Sequence, residues 1–113
     1  MRGDPTAYIK YILESIMLIQ EYTGRVSKQE FLARTFLQDA VMRRLEVIGE
    51  AVKGLPSDFR DRHSGIPWQE IAGMRDVLIH EYFGVDLNLT WQTVKQDIPA
   101  LKSKLEEILK QIP

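Results

Sequence analysis

Four residues within eight consecutive positions carry the side chains of an acid–base site: Arg75, Asp76, His80 and Tyr82. Histidine titrates near neutrality, so His80 can take a proton or give one. Arg75 keeps its charge and can stabilise negative charge that develops at a reacting centre, best where water is excluded. Asp76 and His80 are four apart, which places them on one side of a helix and lets the carboxylate orient the imidazole. The Tyr82 hydroxyl can donate to an anion. The chemistry such a set serves is proton transfer at an anionic centre. No other His or carboxylate cluster has ligand spacing, so neither a metal nor a cofactor is expected.

The element that must position these groups is a helix starting at about Pro67. Proline suits a first turn, and Glu70 suits the positive end of the helix in Pro67-Trp68-Gln69-Glu70-Ile71. At roughly 100° per residue, Ile71, Ala72, Met74, Val77, Leu78 and Ile79 cover more than half the circumference. That is wider than a single core-facing stripe, so the helix is expected to be largely buried, with a second surface covering part of it. Arg75 falls inside the apolar arc, and a buried guanidinium is costly unless an anion meets it. Arg75 and His80 are about 140° apart on an ideal helix. A twofold homodimer that apposes two such helices would bring both groups, twice, to one cleft.

The spacing Arg75-x4-His80-x-Tyr82 resembles the motif of the HepT-like branch of the HEPN superfamily, small helical ribonuclease toxins paired with nucleotidyltransferase antitoxins. The similarity extends to Arg44-Leu45-Glu46-x-Ile48-Gly49-Glu50-Ala51, to Pro67-Trp68-x-x-Ile71-x-x-Met74-Arg75-Asp76, and to Trp91 followed by Asp97-Ile98-Pro99-x-Leu101. It covers most of the chain in one order. The resemblance implies the toxin of a type VII toxin–antitoxin system: an endoribonuclease that cuts RNA without a metal and works as a homodimer. Arg75 and His80 would be catalytic and Asp76 supporting. Tyr82 would be the position that the antitoxin modifies with AMP. Two rival readings stand beside it. Arg75, Asp76 and His80 can form a polar network that stabilises a helix pair. Alternatively, the chain can be a HEPN-like binding subunit that docks a nucleotidyltransferase or binds nucleotide without cutting.

The 113 residues suit one domain spanning 1–113. A net charge of −1 gives no bulk electrostatic case for nucleic acid, so RNA contacts need a local basic patch. No turn–helix pair carries a basic recognition face, and DNA is not expected. The absence of cysteine fits a reducing cytoplasm. The apolar run from Ile12 to Ile19 is short and broken by Glu14 and Ser15, so no membrane segment is expected.

Along the chain, Asp4-Pro5 reads as an N-cap and first turn, followed by Ile9, Ile12, Leu13, Ile16 and Ile19 at helical spacing up to Gly24. Tyr8, Tyr11 and Tyr22 lie at the margins of that stripe. Ser27-Lys28-Gln29-Glu30 is a capping box that opens a long helix ending near Lys53-Gly54. Its core stripe is Leu37, Val41, Leu45, Ile48 and Val52. Gly49 in its interior costs about 1 kcal/mol relative to Ala, which is explained by close approach of another helix. Arg43, Arg44, Glu46 and Glu50 form its polar side. That side is either solvated, with Glu46 or Glu50 pairing with arginines, or the rim of an RNA cleft to which Arg44 and Arg43 contribute.

Leu55-Pro56 ends the helix, Ser57–His63 suits one short turn, and Ser64–Pro67 forms a loop. His63 reads as a surface histidine. Arg60 and Arg62 are solvated or steer phosphate. Asp86 or Asn88 can cap the last stretch, in which Pro99 should kink the helix or start a fresh segment. Ile98, Leu101, Leu105, Ile108 and Ile112 make its apolar stripe, with Trp91 in the core. The fold class is all-α: an up-and-down bundle of four long helices plus short connecting turns, HEPN-like and dimeric.

Overall fold

The computed structural model describes residues 4–78 and 86–112. The architecture is all-α, with no strand among the described residues. The first expected stretch is one helix, α1 (Pro5–Thr23), capped by Asp4, whose carboxylate accepts from the Thr6 amide at 3.0 Å. The second divides into α2 (Lys28–Ala33) and α3 (Thr35–Gly54), separated by extended backbone at Arg34. Both halves of the Ser27–Glu30 capping box are made. A short α4 (Ser57–Arg62) follows Pro56, as expected for the connection.

The stretch after Pro67 is also divided. α5 (Trp68–Ala72) and α6 (Met74–Leu78) meet at Gly73, and Pro67 is the N-cap. This corrects the expectation of one largely buried helix. Trp68 and Leu78 are buried, but Gln69, Glu70, Arg75, Asp76 and Val77 are exposed. A glycine between the two halves removes the side chain that would favour continuous helix.

The last stretch runs from α7 (Leu87–Gln92) through a π-helical turn (Thr93–Asp97) into α8 (Ile98–Gln111). Asp86 is its cap, accepting from the Leu89 amide at 3.0 Å. Pro99 stands at the start of a fresh segment, in the first turn of α8, which is one of the two outcomes expected of it. It has no N–H for Lys95 to accept, and the widened turn lies just before it, with the Ile98 amide bonded to Thr93.

The core lies where α1, α3 and α8 meet. Ile9, Ile12, Ile16 and Ile19 of α1 face Val41, Leu45, Ile48 and Val52 of α3, all fully buried. The α8 stripe of Ile98, Leu101, Leu105 and Ile108 closes the core, while Ile112 is only partly buried. Trp91 is likewise half-buried rather than central: its ring lies 5.2 Å from that of Phe31, and the Lys95 ammonium stands 4.8 Å from the centre of the same indole ring. Lys95 also donates to the Thr23 carbonyl at the end of α1, where a cation meets unsatisfied acceptors. No helix among the described residues is long and apolar enough to cross a membrane.

Candidate active site

Trp68 anchors the segment that carries Arg75. Its indole N–H donates to the carbonyls of His63, at 3.0 Å, and Arg60, at 3.2 Å, both at the end of α4. Its ring packs near Phe59, whose other neighbour is the half-buried His63 ring at 4.6 Å. The expected surface histidine is thus a packing residue. With α4 and α5 locked together, Gly49 sets how closely α5 approaches α3. A Cβ at Gly49 would lie 3.2 Å from the Ala72 carbonyl oxygen and 3.4 Å from that of Ile71. The close approach expected of this glycine is therefore backbone against helix.

One turn beyond that contact, on both elements, stand Glu46 of α3 and Arg75 of α6. The Arg75 Nε donates to Glu46 Oε2. Arg75 Nη1 lies 3.8 Å from Asp76 Oδ1, close enough for attraction but not for a hydrogen bond. Arg75 is not buried as the apolar arc implied: its side chain is 53% exposed, against 30% for Glu46. Among the described residues of the arc, Leu78 is buried, Ile71, Ala72 and Met74 are half-buried and Val77 is exposed. An ion pair this exposed contributes about 0–1 kcal/mol to stability.

The structure brings together Arg75, Asp76 and Glu46. Arg44 belongs to another surface: its Nη1 donates to Ser15 of α1 at 3.4 Å. Arg44 and Glu46 are two positions apart, about 200° around α3, so they leave the helix on different sides. Arg43 is exposed and Glu50 pairs with Lys53 at 3.2 Å. His80 and Tyr82 lie outside the described residues. Glu46, which the sequence offered beside Glu50 as a partner for an arginine, is the one that meets Arg75. Its signal was its place one turn before Gly49, the glycine that admits α5.

One apolar side chain of the segment stands open to solvent. Val77 is 64% exposed. It borders a groove of about 410 Å³ lined by Ile71, Met74, Leu78, Leu89, Ile98 and Leu101, with Glu70, Asp97 and Lys104 among its polar edges.

Comparison with known proteins bears on this arrangement. The family described as Ribonuclease HepT-like matches residues 12–108. A gamma-glutamylcyclotransferase and candidate RNase of Methanocaldococcus jannaschii is 54% identical over 112 residues, covering 99% of this chain and 50% of the relative. This chain therefore spans about half the length of that protein. A probable ribonuclease HepT of Thermococcus cleftensis is 52% identical over 110 residues, 97% of this chain and 100% of the relative. A candidate RNase of Caldanaerobacter subterraneus is 47% identical over 105 residues, 93% of this chain and 94% of its own. No solved structure matches the chain significantly. With most of its length inside the family's pattern and near full-length relatives at about half identity, the chain belongs to the HepT-like ribonucleases of the HEPN superfamily.

Proposed function

We propose that this protein is a metal-independent endoribonuclease that cuts RNA at a site composed by two copies of the chain. Family membership carries the reading, and the presentation of Arg75 on an exposed helical turn supports it. In the reaction the 2′-hydroxyl oxygen attacks the adjacent phosphorus while a base removes its proton. The bond from phosphorus to the 5′-oxygen breaks, and that oxygen receives a proton. The products are a 2′,3′-cyclic phosphate and a 5′-hydroxyl. His80 is the proton-transfer residue and Arg75 the ligand of the charged transition state. Asp76 orients the His80 imidazole. Arg43, exposed on α3, is available to the RNA backbone, whereas Arg44 is engaged with Ser15.

A second copy on the Val77 groove would cover that side chain and supply the second Arg–His set. Silencing by a nucleotidyltransferase antitoxin that attaches AMP to Tyr82 completes the proposal. The modification would add bulk and a phosphate that competes for Arg75 and repels RNA.

The test is cleavage of RNA by purified protein in the presence of chelator, beside His80→Ala. Cyclic phosphate ends that disappear with His80→Ala are expected. Intact RNA with the wild-type protein would leave the non-cutting binding subunit as the better reading. Co-expression with the cognate nucleotidyltransferase should add AMP mass to the wild type and not to Tyr82→Phe. Sedimentation should give a dimer that Val77→Asp weakens.

A further inference from the structure

We propose that Glu46 is the positioning residue of Arg75: it anchors the guanidinium by its Nε edge so that the outer edge faces an RNA phosphate. This rests on the ribonuclease reading and adds a residue to it. Three observations converge. The Arg75 Nε donates to Glu46 Oε2, which occupies only one of the five guanidinium donors. Among the described residues no acceptor hydrogen-bonds Nη1 or Nη2, the pair of donors that grips a phosphate in bidentate fashion. The bond is also braced from the backbone, because one turn away Gly49 of α3 lies close against the Ala72 carbonyl at the end of α5, three residues before Arg75. A salt bridge with both partners partly exposed does little for stability. What it does do is hold a long, rotatable side chain in one place.

The arrangement has a cost that makes it recognisable. A carboxylate beside the arginine repels the incoming phosphate, so Glu46 should weaken RNA binding while it speeds cleavage. A residue that merely supports the fold would not move the two in opposite senses. Glu46→Ala should lower kcat about tenfold or more, because the arginine loses its orientation. The same change should lower KM about threefold, because a like charge near the phosphate is gone. Glu46→Gln keeps an oxygen that accepts from Nε and should retain most of kcat with the lowered KM.

The experiment measures kcat and KM on a labelled single-stranded RNA of mixed sequence for wild type, Glu46→Ala, Glu46→Gln and Arg75→Ala. It is paired with hydrogen exchange of the Arg75 Nε–H by NMR, assigned through Arg75→Ala. Slow exchange in wild type and Glu46→Gln, and fast exchange in Glu46→Ala, is expected. An unchanged kcat in Glu46→Ala would overturn the proposal, as would a kcat loss accompanied by a raised KM and a lower Tm. So would an Nε–H that exchanges equally fast in all forms, and that readout holds even if the wild type cuts no RNA. Failure of the wild type to cut, with Nε–H exchange behaving as expected, would remove the ribonuclease reading and leave Glu46 as the holder of Arg75.

Discussion

The α1–α3 pair and the α5–α6 segment solve opposite problems with similar residues. Across α1 and α3, isoleucines, leucines and valines interlock at zero exposure along most of both helices. The α5–α6 segment is as apolar in composition, yet it presents Arg75, Asp76 and Val77 to solvent and divides at Gly73. It is held by the Trp68 hydrogen bonds, the Gly49 contact, the Glu46 carboxylate and the Trp68 and Leu78 side chains in the core, while one side stays open to solvent. The difference shows a division of labour. One pair of helices supplies much of the buried core, and a more exposed segment carries the described groups of the proposed site.

Substitutions can break this comparison. The largest effect should come from Leu45→Ala, which empties a fully buried position of α3. A loss of about 2–5 kcal/mol is expected by denaturant unfolding. If it costs no more than a surface change, the claim that this pair supplies much of the core fails. Arg75→Ala should do the reverse. Cleavage should drop about a hundredfold, the scale of losing a charge-stabilising donor, while the thermal midpoint stays nearly constant.

Gly49→Val joins the two regions. Its side chain meets backbone carbonyls, which cannot swing aside as a flexible side chain would. An overpacking cost of about 1–3 kcal/mol is expected, together with loss of the Glu46–Arg75 bond. Stability with unimpaired cleavage would show that the close approach does not position Arg75.

The smallest expected effect is at the α2 cap. Ser27→Ala should cost about 1 kcal/mol by unfolding. The hydrogen bond from the Ser27 backbone amide, and then that with its side chain, holds the Glu30 carboxyl below its ordinary pKa. A depressed folded pKa means the stabilisation is complete above the unfolded value and fades as pH falls through the folded one. The difference between wild type and Glu30→Gln should therefore be present at neutral pH and vanish in acid below the ordinary glutamate range. A difference that grows in acid would show that the cap is not the source.

The caps and stripes were legible because they are local. Asp4, Ser27 with Glu30, and Asp86 act on amides two or three residues away, and apolar spacing reports a buried face without reference to its neighbour. Gly49 was read as a point of close approach for a similar reason: a glycine inside a strong helix must compensate its cost somewhere. The partner it admits was not legible. The same limit applied to Arg75, which the arc alone assigned to the interior. Helical periodicity assumes an unbroken helix, and Gly73 divides this one.

The motif resemblance marked Arg75, and sequence patterns determined the helix order, the caps and the core stripes of this protein. Only the tertiary structure decided that Glu46 rather than Glu50 meets Arg75, that Arg44 turns to Ser15, and that Val77 is left uncovered. The physical reason is range. Capping and periodicity act within a turn or two of one helix, whereas these pairings join residues 29 positions apart and depend on how closely two helices can approach.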